Sequence, residues 1–214
     1  MLITGAKGHA LEVLDIILQQ HPADRIYFFD NVSTSFTLQS IDAAKILRTK
    51  EELAQLFSRD NLFVLGTGNP AARRLLGELC LQQGGVMQSV IAASASISSL
   101  HVTLGDGLNI MQGVIIHPEV SIGKGTLLNC RSIIHHECVV GEYCEICPGA
   151  ILAGNVTVGN NTTIGTGAVI LPKINIGHNA YIAAGAVVKE DVPDNTLVAG
   201  VPAQFKKKLN NNPS

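Results

Sequence analysis

Residues 128–158 read LNCRSIIHHECVVGEYCEICPGAILAGNVTV, with an aliphatic residue at every sixth position: Leu128, Ile134, Val140, Ile146, Leu152 and Val158. Followed outward, the series begins at Leu104, Ile110, Ile116 and Ile122 and continues to Ile164, Ile170, Ile176, Ile182 and Val188 without a miss. Small or β-branched residues recur four places further on, among them Ser132, Cys138, Ala150, Thr162 and Ala180. A helix repeats every ~3.6 residues and a half-buried strand every two, so neither writes this spacing; a coil of six-residue flats does. Three flats close a triangular turn, which stacks residues eighteen apart along the axis. One turn cannot bury its own aliphatic ring, and stacking supplies the missing contacts. A narrow triangular lumen also has little room for rings, in keeping with 4% aromatic residues and no Trp.

The first ninety residues follow another grammar. Short apolar runs at 2–4, 25–29, 45–47, 61–65 and 86–91 read as strands, and 11–20, 50–57 and 71–83 as helices. Strands alternating with helices indicate a parallel sheet covered on its faces, with ligands beyond the C-terminal strand ends. The fold expected is therefore an α/β N-terminal domain, a small Rossmann-like parallel sheet over 1–92, followed by a parallel β-helix domain over 93–214. From Asp194 onward the six-residue frame is expected to lapse. Ala199-Gly200-Val201-Pro202-Ala203 reads as a turn, and Lys206-Lys207-Lys208 as the start of a frayed polar tail. The segment 32–41 reads as a loop.

Several function classes are excluded. The 214 residues carry 15% charged side chains and a net charge of −2, which is no footprint for nucleic acid. No apolar stretch approaches the ~18–20 residues that span a bilayer. GAKGHA, residues 5–10, interrupts the place where a signal peptide needs an apolar run, so a soluble cytoplasmic protein is expected. Five cysteines, an odd count, fit a reducing compartment. Cys144-x-x-Cys147 has no second matching pair, and Cys138 and Cys144 occupy the small-residue slot, so they read as core rather than metal ligands.

The polar exceptions carry the chemistry. Glycine often follows the aliphatic position (Gly105, Gly123, Gly141, Gly159, Gly165, Gly177), but His117 and His135, eighteen apart, break that rule. His136 and Glu137 follow, and one turn later come Gly154 and Asn155; Asn129 lies on the preceding corner. An imidazole with a carboxylate beside it takes a proton from an attacking amine or hydroxyl, and a glycine N–H one turn away stabilises a thioester oxyanion. Solvated corner histidines are the bland alternative. A zinc site on His117, His135 and His136, in the manner of the γ-class carbonic anhydrases, is another, but the coil lacks a His-x4-His pair. In the N-terminal half, the glycines of GAKGHA serve a tight turn, and they leave His9 at a helix N-terminus facing any bound anion. Asp30 ends the next strand as a hydroxyl acceptor.

With these residues in view, the chain resembles the sugar acetyltransferases of the sialic-acid and bacillosamine type, members of the left-handed β-helix acyltransferase superfamily. The resemblance spans GAKGHA, FFDN at 28–31, GTGNPAARR at 66–74, the 129–159 stretch and VPDNTLVAGVPA at 192–203. It implies a left-handed coil, a homotrimer with its active site between subunits, acetyl-CoA as donor, no metal, and a nucleotide-sugar acceptor, the closest likeness being to enzymes that N-acetylate a UDP-linked 4-amino-4,6-dideoxy sugar. O-acetylation of a sialic-acid-like sugar stays open, as does a non-catalytic nucleotide-binding trimer. Carried onto this chain, it makes His136 the general base and Glu137 its partner, with Asn129 nearby. Lys7, Gly8, His9, Asp30, Asn31 and Gly68 would hold the nucleotide sugar, and Glu145, Gly154, Thr166 and Ala184 would line acetyl-CoA. Two positions depart from the family: Glu145 stands where a relative has histidine, and Ala184 where it has glycine.

Overall fold

A computed structural model of the chain describes residues 1–20, 25–32 and 45–210; the loop expected over 32–41 falls outside them beyond Val32. The described chain divides into two compact units, Met1–Val90 and Ile91–Ser214.

In the first unit five strands are ordered β3-β2-β1-β4-β5: β1 (Leu2–Thr4), β2 (Tyr27–Phe29), β3 (Lys45–Leu47), β4 (Leu62–Leu65) and β5 (Val86–Met87). Every pairing is parallel. Leu2, Ile3, Phe28, Phe63, Val64 and Leu65 are all fully buried, the unbroken apolar reading of strands covered on both faces. Helix α1 (Gly8–Gln20) begins three residues earlier than its apolar pattern suggests, because the Ala10 N–H closes a turn onto the Lys7 carbonyl at 2.7 Å. Helix α2 (Lys50–Phe57) opens with a capping box between Thr49 and Glu52, and α3 (Pro70–Gln82) with an Asn69 cap and a proline in its first turn. β1 lies between β2 and β4, so the turns after β1 and β4 leave adjacent strands at a topological switch point. They touch: Gly5 has φ +81°, and a Cβ there would fall 2.7 Å from Thr67 Cγ2. The single strand expected over 86–91 is two. Val86–Met87 stays in this sheet, and Val90–Ile91 joins the first rung of the coil.

The second unit is a triangular parallel coil. Its first face stacks Thr103–Leu104, Ser121–Ile122, Val139–Val140, Thr157–Val158 and Asn175–Ile176. The second carries Asn109–Ile110, Leu127–Leu128, Glu145–Ile146, Thr163–Ile164 and Tyr181–Ile182, and the third Ile115–Ile116, Ile133–Ile134, Ile151–Leu152, Val169–Ile170 and Val187–Val188. Within this span the register advances by eighteen residues per turn, as in Ile115↔Ile133 and Val139↔Thr157. The second residue of each strand points inward, and from Ile110 to Val188 these aliphatics are at most 2% exposed. Burying each contributes roughly 1.5–3 kcal/mol gross, most of it offset by ordering the chain. The small-residue slots turn their polar atoms onto the next rung: Thr162 donates to the Gly177 carbonyl and Cys144 to that of Gly159.

The coil runs past the regular frame at both ends. Ser96 pairs with Ile115, one residue more than a turn, and Leu197 with Tyr181, two fewer. The frame does lapse near Asp194, as expected, but the coil continues beyond it. Val192 and Val198 stay buried in the column, and Thr196–Ala199 extends the second face. Nor is Lys206–Lys208 frayed: Gln204–Lys208 forms an antiparallel edge strand on Thr196–Ala199. A hairpin through Gly200 supplies backbone partners that a solvated tail lacks, and lysines on the outer strand suit an exposed sheet edge.

Candidate active site

The chain turns sharply after each face, and the three corners differ in what they do with the backbone amide at their middle position. At the first corner side chains from the next turn seal it over the upper turns. The Glu142 N–H donates to Asn160 Oδ1, Asn160 N–H to His178 Nδ1 and His178 N–H to Asp194 Oδ1, at 2.9, 2.9 and 2.7 Å. At the third corner the same position is occupied in successive turns by Pro118, His136, Gly154 and Pro172. Two of the four are prolines, which have no N–H, because the ladder requires none there. The Gly154 N–H accordingly donates to no group among the described residues.

His136 and Glu137 sit on this corner, half-exposed. His136 Nδ1 lies 2.8 Å from Glu137 Oε2. An ionised carboxylate only accepts, so Nδ1 carries the proton and Nε2 presents a lone pair. The ring lies close over the next turn: a Cβ on Gly154 would fall 2.5 Å from His136 Cε1 and 2.6 Å from Nε2. Glycine is therefore the residue that lets the imidazole occupy this place, and it sets the basic nitrogen beside the open amide. Hydrogen bonds from His136 first and Asn155 second hold the Glu137 carboxyl below the ordinary carboxylate range. His135, half-buried, stacks on His117 with ring centroids 4.7 Å apart and planes 7° from parallel. Burial, and then the two neighbouring imidazoles, His117 before His136, push its pKa down. Rings stacked face to face do not converge on an ion, and among the described residues no group of three or more His, Cys, Asp or Glu is arranged to hold one.

Of the residues expected to line the donor, Gly154 lies on the third corner, and Glu145, Thr166 and Ala184 fall on the second corner or beside it. Its middle column is Gln112, Cys130, Pro148, Thr166 and Ala184, again with a proline. Thr166 and Ala184 are exposed; the Thr166 N–H lies against the Cys147 sulfur, while that of Ala184 donates to nothing among the described residues. Asn129 opens this corner two turns below Thr166, its Oδ1 accepting the Cys130 N–H at 2.8 Å. Glu145 is half-buried on the second face, just before the corner. One chain thus brings His135, His136, Glu137 and Gly154 together, but places Asn129, Thr166, Ala184 and Glu145 at the opposite edge of the third face. Sequence reasoning assigned no part to Asn155 or Lys173, which stack above Glu137; the eighteen-residue period already put them there.

In the first unit the expected substrate residues lie at the C-terminal ends of β1, β2 and β4. Lys7 is exposed and Gly8 opens α1. His9 packs into the helix start with its side chain 11% exposed; Nδ1 meets Glu12 Oε2 at 2.9 Å, and Nε2 is buried without a partner. Burial foremost pushes its pKa down, the Arg73 charge adds to this, and Glu12 opposes it. Asp30 is buried, with Oδ1 accepting the Val32 N–H at 3.0 Å, while Asn31 is exposed. Gly68 is half-buried in the turn after β4, where the fully buried Arg73 donates to the Thr67 carbonyl at 2.7 Å.

This architecture is matched among known proteins. The PglD N-terminal domain family matches residues 1–78 and the bacterial transferase hexapeptide (six repeats) family residues 155–190. PerB from Caulobacter crescentus, solved with CoA and GDP-perosamine, is 29% identical over 96% of each chain, with a TM-score of 0.85. With a PglD-type N-terminal domain, hexapeptide repeats and this likeness to a sugar N-acetyltransferase, the chain is an acyltransferase. Two further structures resemble this acyltransferase along nearly its whole length. The acetyltransferase domain of PglB from Neisseria gonorrhoeae, with acetyl coenzyme A, is 26% identical over 96% of this chain and 98% of that one, with a TM-score of 0.86. WeeI from Acinetobacter baumannii is 27% identical over the same shares, with a TM-score of 0.79. No curated protein sequence matches the acyltransferase. Among its described residues no helix is long and apolar enough to cross a membrane.

Proposed function

We propose that this acyltransferase moves the acetyl group of acetyl-CoA to the amino group of a nucleotide-activated sugar. The observation that carries the reading is the third corner: a basic imidazole nitrogen beside an open glycine amide. His136 Nε2 takes a proton from the sugar nitrogen as that nitrogen bonds to the thioester carbon. The Gly154 N–H stabilises the oxyanion, the C–S bond breaks, and the CoA thiolate leaves with the proton returned by His136. The open amide of Ala184 suits a polar group of a pantetheine arm. Lys7, Gly8, His9, Asp30, Asn31 and Gly68 form the nucleotide-sugar site, at the strand ends where such sheets bind ligands. UDP- and GDP-linked 4-amino-4,6-dideoxy sugars are the first acceptors to test.

The working unit in this reading is a homotrimer in solution. The third face is aliphatic outside as well as inside, with Ile115, Ile133, Ile151, Val169 and Val187 all pointing outward. Three coils turning that face toward a shared axis bury it and bring the third corner of one chain beside the second corner of the next. Base and donor site, split within one chain, then meet. The test is release of CoA thiol with each nucleotide amino sugar. His136→Ala should lower kcat by ~10²–10⁴ and leave acetyl-CoA affinity intact; an unchanged kcat rejects His136 as the base.

A further inference from the structure

Two side chains on the turns above the His136–Glu137 pair have no part in the reaction as described. Asn155 stands one turn above Glu137, and its Nδ2 donates to Glu137 Oε2 at 3.0 Å, the same oxygen that lies 2.8 Å from His136 Nδ1. Lys173 follows one turn later, and its charge acts on Glu137. We propose that Asn155 is a positioning residue for the acetyl transfer: its amide fixes the Glu137 carboxylate so that His136 keeps its proton on Nδ1 and offers Nε2 beside Gly154. The proposal rests on the acetyl-transfer reading for its kinetic consequence, though not for its structural one.

The geometry requires such a clamp. The side chains of His136 and Glu137 are 57% and 48% exposed, so neither is held by packing. A carboxylate on a flexible stem, bonded to one imidazole at the surface, exchanges that bond for water. A second donor on the same oxygen removes the rotation that would release it. The backbone does not explain the choice of residue. Asn155 has φ +61°, a left-handed conformation that Gly and Asp also tolerate. Asparagine differs from both in carrying an amide donor, and aspartate would set a second anion against Glu137. The other charged and titratable groups along this corner are His101 and Glu119 below Glu137, Lys189, Glu190 and Asp191 at its top, and the His117–His135 stack. None of them is bonded to Oε2, which has His136 and Asn155 as its partners.

The experiment compares wild type with Asn155→Gly and Asn155→Asp, both compatible with the left-handed turn. Imidazole ¹⁵N chemical shifts report the His136 tautomer, and steady-state kinetics report kcat and KM. Wild type should show the Nδ1–H form. Both variants should move toward the Nε2–H form that histidine favours in water, with kcat reduced about 10-fold, the lower end of the range for a general base, and KM for both substrates unchanged. Melting temperatures within a few degrees of wild type separate this outcome from misfolding. A wild-type tautomer in Asn155→Asp overturns the proposal, as does a fall in kcat with the tautomer unmoved, since a turn-forming role alone tolerates aspartate. The NMR measurement decides the clamp even if no acceptor is turned over, so its failure is distinct from failure of the acetyl-transfer reading.

Discussion

Gly154→Ala isolates the contact on which the proposed chemistry depends. Gly154 is not among the residues with positive φ, so alanine meets no backbone penalty there. Its methyl would arrive 2.5 Å from His136 Cε1 and 2.6 Å from Nε2, where ordinary contact begins near 3.4 Å. The ring, half-exposed and free on its solvent side, must therefore retreat by about 1 Å, stretching its bond to Glu137 and moving Nε2 off the open amide. A displacement of ~1 Å at a reacting group costs on the order of 10²-fold in rate, or ~2.7 kcal/mol of activation free energy. Thiol release under saturating acetyl-CoA and acceptor should fall by that factor, while the melting temperature stays put because no core atom moves. Wild-type kcat in Gly154→Ala would falsify the arrangement of base and amide, whatever the fate of other variants.

Hybrid trimers should restore activity lost in each parent. If His136→Ala and the donor-blocking Ala184→Trp are each inactive, random reassortment of equal amounts should recover about a quarter of wild-type activity, since a site needs an intact third corner from one chain and an intact second corner from its neighbour; no recovery refutes a shared site. His9 and His135 both have pKa values lowered from the ordinary 6.5 in the fold. The unfolded chain then binds more protons in that range, so melting temperature should decline as pH falls through about 6.5, and His9→Asn should flatten the slope. Burial pushes the Cys80, Cys144 and Cys147 thiols up to about 12, so mass spectrometry after brief alkylation of the native protein at pH 8 should find all three unmodified.

The coil was legible because its period is strict. With one aliphatic per flat, Leu104 to Val188 place every inward side chain, and a spacing of eighteen puts Gly154 over His136. The ends were less so. One residue too many before Ile115 and two too few before Leu197 shift the stack without breaking it, and a pattern counted in sixes registers such a slip as an end. The Lys206–Lys208 strand was hidden for another reason: every residue from Gln204 to Lys208 is exposed, so no alternation marks it, and backbone pairing with Thr196–Ala199 forms it. At the site, sequence proximity overstated kinship. Asn129 and His136 are seven residues apart, yet one six-residue flat carries the chain from one corner to the next, so they lie on different edges of the prism.

That separation also explains why the three corners have diverged. Each middle position begins with the same backbone problem, an amide that the ladder leaves unpaired. At the first corner Asn160, His178 and Asp194 close it from above in the upper turns. At the other two the stack mixes proline, which has no donor to satisfy, with residues that leave theirs bare, His136 and Gly154 at the third and Ala184 at the second, while the Cys130 and Thr166 N–H groups meet Asn129 Oδ1 and the Cys147 sulfur. Unsatisfied amides are tolerable at an exposed edge because water reaches them, and they become useful where a neighbouring chain excludes that water and a ligand replaces it. The two open edges border the third face, whose outward side chains are aliphatic, and the sealed edge is the one opposite that face. If the trimer formed instead through the first or second face, an edge carrying open amides would be left in bulk solvent and the sealed one would lie at the interface, a placement that wastes both.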